Sequence, residues 1–142
     1  AGKYDAGLLI HEGQLTYHEA ASGRLRKVVD LGAWWKALTG LPLPLGGNAI
    51  RRDLGAKRIR RISRHLRDSI VWGLDHRNEA LNHALKYARG MSRDKADKFV
   101  GMYVNGYTVE YGDQGRAAVR LFLDAGRRLG LIPVHVEPEW SE

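Results

Sequence analysis

The sequence predicts an α/β fold in which the first third forms strands and the remainder forms a layer of helices. The apolar runs at 7–11 and 25–31 are short and bounded by glycine or charged residues, as expected of buried strands. From Lys57 onward, apolar residues recur every three or four positions, which is the period of an amphipathic helix. A chain of 142 residues, 44% of them hydrophobic, is also long enough for one domain with a core.

The first predicted elements are two strands and a short helix. Strand 7–11 ends in a turn at Gly13, and strand 25–31 leads into the helix. Asp30 can cap this helix, because an aspartate side chain accepts the backbone N–H groups of a first turn. Gly40 can end it, because glycine adopts the left-handed conformation that commonly follows a helix.

The stretch GLPLPLGGN separates the strand-rich third from the helical remainder. Its prolines exclude a helix, and its Gly46-Gly47 pair gives the backbone more conformational freedom. Four helices are predicted beyond it: from Lys57 through Ile70, from Asn78 to Arg89, from a Ser92 cap through Tyr103, and from an Asp113 cap to Leu129. A last extended piece at 131–134 follows.

Composition and charge exclude several classes of protein. The chain has no cysteine, which excludes disulfide scaffolds and thiolate metal sites. No apolar run reaches the roughly 18–20 residues that cross a bilayer. No basic-then-apolar leader is visible either, so we expect a cytoplasmic protein without a membrane partner. The net charge of +7 favours anionic ligands.

His11 is the strongest candidate for a catalytic residue. It directly follows the apolar run 8–10, and catalytic groups in α/β proteins gather beyond the carboxyl ends of strands. An imidazole, with an ordinary pKa of about 6.5, can take a proton at neutral pH. The alternative is a histidine whose ring nitrogens are bonded by loop backbone. The residues alone leave both open.

A basic run is the most conspicuous charge feature. Eight lysines and arginines lie within the 17 residues from Arg51 to Arg67. They could bind a phosphate backbone, but they also occupy the positions that complement the apolar stripe of a helix. No aromatic residue is interleaved to stack on a base. We therefore expect a solvated helix face and no nucleic-acid partner.

A metal site is a weaker possibility. His76, Glu79 and His83 share one helical face, but zinc and di-iron sites use closer pairs and further ligands. We therefore predict no metal.

Three stretches of the sequence together carry a resemblance to a known family. They are AGLLIHEGQLTY, VVDLGAWWKALTGLPLPLGGNAIRRDLG and YARGMSRDKADKFVGMYVNGYTVEYGDQGRAAVRLFLDAG. The combination resembles the 1,4-dihydroxy-6-naphthoate synthases of the futalosine route to menaquinone, over about residues 2 to 138.

The resemblance implies an architecture. The family has a periplasmic-binding-protein-like (type 2) fold of two lobes, with the substrate in the cleft between them. Residues 1–45 would end the second, inserted lobe and carry the catalytic histidine, and residues 46–142 would form the hinge and return to the first lobe. Because the family protein is about twice this length, only its C-terminal half is matched. The missing N-terminal half of the same protein would then be a partner, and the chain alone would be inactive.

The resemblance also implies a reaction. The family enzyme is a lyase that cleaves cyclic dehypoxanthinylfutalosine to 1,4-dihydroxy-6-naphthoate and dihydroxyacetone, with no metal or organic cofactor. The histidine of LLIHEGQ, here His11, is its general base. Glu12, Gln14 and Asn48 are further candidates for substrate binding, because they adjoin this histidine or the presumed hinge.

Two other functions stay open at this point. A protein of the same two-lobed fold could bind a small anion without any chemistry, and turnover that depends on His11 would distinguish the two. A small nucleic-acid module built on 51–67 would instead lose affinity steeply with salt.

Overall fold

The computed structural model describes residues 4–10, 13–20, 24–88 and 90–141. Within these ranges the chain forms one 3-10 helix, Arg52–Leu54, and seven α-helices. The α-helices are α1 (Gly13–Ala20), α2 (Leu31–Thr39), α3 (Ala56–Asp75), α4 (Arg77–Leu85), α5 (Arg93–Tyr103), α6 (Gly106–Val109) and α7 (Gly112–Arg128).

The predicted α/β, two-lobed periplasmic-binding-protein-like fold is wrong for this structure. Helix accounts for 61% of it, and the described residues contain neither a strand nor a sheet. The apolar side chains that suggested strands lie on the surface, where Leu8 is 74% exposed and Val28 is 82% exposed. A strand is stable only when its N–H and C=O groups pair with a neighbouring strand. The part of the chain that the structure covers supplies no such neighbour, so 7–10 and 25–30 stay irregular.

Helix α2 confirms the caps predicted for it. The Asp30 carboxylate accepts a hydrogen bond from the Ala33 N–H at 3.1 Å. Gly40 adopts the left-handed conformation, with φ of 73°, and its N–H donates to the Lys36 carbonyl at 2.8 Å. These two residues fix both ends of the helix, so its boundaries follow from local chemistry.

The adjacent tryptophans of α2 face different surroundings. Trp35 is buried, its indole N–H donates to the Pro42 carbonyl at 3.2 Å, and its ring meets Phe122 of α7 edge-on at 5.6 Å. Trp34 is 52% exposed. Trp35 thereby ties α2 both to the proline-rich segment and to the last helix.

The later helices follow the predicted pattern with shifted ends. Helix α5 begins after Ser92, whose hydroxyl accepts the Lys95 N–H at 3.4 Å, as expected of a cap. Helix α7 begins one residue before Asp113, which lies in its first turn and is not the cap. Helix α4 ends at Leu85, short of the predicted Arg89, and 131–134 forms bends. The turn predicted at Gly13 is the first residue of α1.

The chain buries little of its apolar surface. It exposes 11540 Å², whereas a compact monomer of 15.9 kDa exposes about 7,400 Å². The buried hydrophobic side chains of the described residues are Trp35, Leu81, Ala96 and Ala118. Such an open arrangement leaves large apolar areas that another polypeptide could cover.

Among the described helices, none combines the length and the apolar character that crossing a bilayer requires.

Candidate functional site

The predicted site residues occupy separate parts of the chain. His11 and Glu12 lie outside the described residues. Gln14 is exposed near the start of α1, and Asn48 is exposed in the irregular segment that precedes the 3-10 helix. No side-chain hydrogen bond joins either of these two to another described residue, so they are free to meet a ligand.

Next to Asn48, the Tyr111 side chain comes very close to the backbone of Gly47. A Cβ atom built on Gly47 would lie 2.7 Å from the Tyr111 hydroxyl, a distance that real Cβ atoms do not reach. Gly47 does not have a left-handed backbone, so this position needs glycine for space and not for conformation. Tyr111 therefore approaches Gly47, the second glycine of the pair that the sequence marks as a linker.

A hydrogen-bonded turn between α5 and α7 places Tyr111 next to Gly47. The Asn105 side chain accepts the Tyr107 N–H at 3.0 Å, while the Thr108 hydroxyl accepts the Asn105 N–H at 3.1 Å and donates to the Tyr103 carbonyl at 2.7 Å. These bonds form a capping box at the start of α6. The chain then turns from α5 into α7, with Tyr111 at the entrance of α7.

Trp140 packs against the ring of Tyr111. The two ring centroids are 5.0 Å apart, and the Arg116 guanidinium lies 5.5 Å from the centroid of the indole. Aromatic and cation–π contacts of this kind hold a ring in one orientation. The indole N–H of Trp140 is buried and has no acceptor among the residues described.

The basic run is only partly paired. Arg51 donates to the Asp53 carboxylate, Nε to Oδ1, at 2.9 Å; this bond raises the pKa of Arg51 and lowers the pKa of Asp53. Arg67 pairs with Glu110 at 3.4 Å. Five exposed cations make no ion pair with a described residue: Lys57, Arg58, Arg60, Arg61 and Arg64. Their exposure is typical of a solvated helix face.

His76 and His83, which the sequence suggested as candidate metal ligands, both contact aromatic rings. The His76 ring stacks on Trp72 at 4.5 Å with an interplanar angle of 9°, and the His83 ring lies 5.4 Å from Tyr87. Within the described ranges, no group of three or more histidine or acidic residues is arranged to hold a metal ion.

A cavity of about 470 Å³ lies where α3, α4 and α5 meet. Its walls include the ion pair of Arg77 with Asp97, Nε to Oδ1, at 2.6 Å, and Arg93, which donates to Asn78 at 2.9 Å. Gln14 and Asn48 do not line it. The cavity and the Gly47 contact are therefore distinct features.

Comparison with known proteins identifies the family. A family model described as menaquinone biosynthesis matches residues 1–128, which is most of the chain.

The chain belongs to the menaquinone biosynthesis family.

Two curated members of this family are similar in sequence. The 1,4-dihydroxy-6-naphthoate synthase of Thermus thermophilus is 43% identical over 128 residues, which cover 89% of this chain and 46% of that protein. The enzyme of the same name from Streptomyces coelicolor is 38% identical over 132 residues, 93% of this chain and 46% of that protein. The chain thus spans about half the length of the curated relatives it matches.

A solved structure is also similar. A crystal structure of an Archaeoglobus fulgidus protein superposes with a TM-score of 0.81 and is 45% identical, covering 90% of this chain and 47% of that one. The described arrangement of helices is therefore shared with a related protein of about twice the length.

Sequence reasoning missed the contact of Gly47 with Tyr111 and the packing of Trp140 on Tyr111. Tyr103, Tyr107 and Tyr111 are four residues apart and would share one face of a single helix, whereas the structure divides them among the end of α5, α6 and the residue before α7. The only signal in the sequence was the pair of adjacent glycines, since paired glycines also occur where another group approaches the backbone.

Proposed function

We propose that this chain is the C-terminal half of a 1,4-dihydroxy-6-naphthoate synthase. The reaction is the cleavage of cyclic dehypoxanthinylfutalosine to 1,4-dihydroxy-6-naphthoate and dihydroxyacetone. The observation that carries the proposal is the identity of 43% and 38% to two enzymes of that name, over about nine-tenths of the chain. Family membership over residues 1–128 supports the same pathway.

A complementary half of the enzyme is part of the proposal. The matched relatives are about twice as long, and the chain exposes about 4,000 Å² more surface than a compact monomer of its mass. Exposed apolar side chains at 8–10 and 25–29 are available to the missing N-terminal half. Their burial would contribute roughly 25 cal/mol for each Å² of apolar surface removed from water.

His11 is proposed as the general base. Releasing the sugar-derived carbons from the aromatic product requires that a proton be removed and that negative charge pass toward the ring system. One imidazole can accept this proton, and a positioned base commonly contributes about 10²–10⁴-fold to the rate. Gln14 and Asn48, with Glu12, are proposed to bind polar groups of the substrate. The net charge of +7 would attract its carboxylate.

Product analysis with both halves tests this function. The chain is co-expressed with the N-terminal half of the Thermus thermophilus relative, and gel filtration verifies the complex. The complex is then incubated with cyclic dehypoxanthinylfutalosine, and products are measured by liquid chromatography and mass spectrometry. We expect naphthoate from the complex and none from either half alone.

Two outcomes would contradict the proposal. A folded complex that binds the substrate and makes no naphthoate would identify a small-anion binding protein. If the two halves do not assemble, residues 1–142 can replace the second half of the Thermus thermophilus enzyme in one continuous chain. A folded chimera without turnover would lead to the same conclusion.

A further inference from the structure

The last residues of the chain connect several separate elements. Glu137 pairs with Arg120 of α7 at 2.9 Å, and Glu139 pairs with Arg52 of the 3-10 helix at 3.1 Å. The Ser141 hydroxyl bonds the hydroxyl of Ser63, on α3, at 2.8 Å. We call residues 135–141 the C-terminal strap. It lies beyond residues 1–128, which the family model matches.

Near its end, the C-terminal strap packs against Tyr111, the residue that approaches Gly47 beside Asn48. Trp140 packs on Tyr111 at 5.0 Å, and the Tyr111 hydroxyl in turn occupies the space where a side chain of residue 47 would lie. Gly115 lies close to Tyr111 as well, because a Cβ on Gly115 would be 3.0 Å from the Cβ of Tyr111. Gly47, Gly115 and Trp140 thus all lie against the Tyr111 side chain.

We propose that Trp140 and Tyr111 are positioning residues, which hold the backbone of 46–48 and thereby orient Asn48 toward the substrate. The positioning of Asn48 rests on the proposed function, whereas the ordering of 46–48 stands on the contacts alone. The need is physical: Gly46 and Gly47 carry no side chains to restrict them, so an outside contact must supply the order. A binding group that is held in advance costs less entropy when the substrate arrives.

NMR relaxation of the backbone amides of the assembled enzyme tests the ordering. In Trp140→Ala we expect the order parameters of Gly47 and Asn48 to fall from about 0.85, which is typical of a rigid backbone, to below about 0.6, because the packed ring that restricts Tyr111 is gone. Trp140→Phe keeps an aromatic ring and should restore most of the order. Trp72→Ala is the matched control, since Trp72 is half-exposed on α3 and, among the described residues, its ring stacks on His76. It should leave the order parameters of Gly47 and Asn48 unchanged.

Kinetics test the positioning. For Trp140→Ala we expect KM to rise about tenfold while kcat stays within about twofold, because substrate binding is impaired and the base is not. If Trp140 had a merely structural role, Trp140→Ala would lower the fraction of active enzyme. The apparent kcat would then fall while KM stayed constant. Trp140→Phe should return KM close to the native value.

A double substitution tests the contact itself. Gly47→Ala should raise KM, because its new methyl group meets the Tyr111 hydroxyl. Tyr111→Phe removes that hydroxyl and should relieve much of the effect in the double variant, so the two changes are not additive. Additive effects would show that the contact does not determine the position of 46–48.

The outcomes separate this inference from the proposed function. Unchanged order parameters of Gly47 and Asn48 in Trp140→Ala would overturn the inference whether or not the enzyme is active. Lower order parameters with an unchanged KM would overturn the positioning of Asn48. If the native complex makes no naphthoate, the proposed function fails, while the relaxation data still decide whether Trp140 orders the segment.

Discussion

At the scale of single residues, the side chains that matter most are those whose neighbours restrict them. Tyr111 lies between Gly47, Gly115 and Trp140, so each of the two glycines has a steric reason to lack a side chain. Asn48 is exposed and its side chain bonds to no other residue that the structure describes, which leaves its amide available. The sequence predicted Asn48 from its place beside the glycine pair, but the tyrosine that packs there comes from a region 64 positions away in the chain. Local pattern cannot reveal such a contact.

The acid side of the pH profile should depend on His11. A general base acts when it is unprotonated, so kcat/KM should fall about tenfold per pH unit below the pKa of the free enzyme's base. The rate of naphthoate formation is measured from about pH 5 to pH 8 at saturating and limiting substrate. An activity that rises as the pH falls through this range would contradict a histidine base.

At the scale of elements, local chemistry predicted the helices well and the strands wrongly. The caps Asp30, Gly40 and Ser92 act within a few residues of themselves, so their roles can be seen in the sequence. The apolar runs 7–11 and 25–31 predicted strands because they resemble buried segments. A strand, however, needs a partner strand, and that partner is often far away in the chain. Among the described residues that partner is absent, and the runs are irregular and exposed.

Removal of the α2 cap should destabilise the chain. Asp30→Ala deletes the acceptor of the Ala33 N–H and should lower the free energy of unfolding by about 1 kcal/mol. Asp30→Asn keeps a side-chain oxygen and should lose much less. Urea unfolding of the complex, followed by circular dichroism, measures both. Equal losses in the two variants would show that charge, and not the cap, is responsible.

The two tryptophans of α2 provide a matched pair. Trp35→Ala removes a buried ring and its bond to Pro42, so it should cost about 3–5 kcal/mol. Trp34→Ala changes a ring that is 52% exposed and should cost much less in the isolated chain. Thermal unfolding by circular dichroism compares them, and Trp35→Phe serves if Trp35→Ala does not fold. A larger loss at Trp34 would contradict the arrangement of α2.

At the scale of the whole molecule, the dominant feature is unburied apolar surface. The chain exposes far more area than its mass requires, and it spans about half the length of its relatives. The family could be inferred from three stretches of sequence, whereas the two-lobed fold inferred with it was wrong for the described chain. A family resemblance can be inferred from a few short stretches of sequence, but these stretches do not determine whether apolar runs elsewhere form strands.

Association with the N-terminal half should therefore stabilise the chain. Anything that binds the folded form and not the unfolded form raises the melting temperature, and the rise increases with the concentration of the partner. Binding of the dye ANS, which reports exposed apolar surface, should fall as the complex forms. A melting temperature that does not depend on the partner would contradict the need for a second half.

The most direct measurement compares naphthoate formation by the native complex with that of His11→Ala and His18→Ala. His18 is an exposed histidine of α1 whose ring lies 3.8 Å from that of Tyr17, so it controls for the loss of an imidazole elsewhere. We expect a loss of at least about a hundredfold in kcat for His11→Ala and native activity for His18→Ala. Equal turnover by all three proteins would contradict the assignment of His11 as the base.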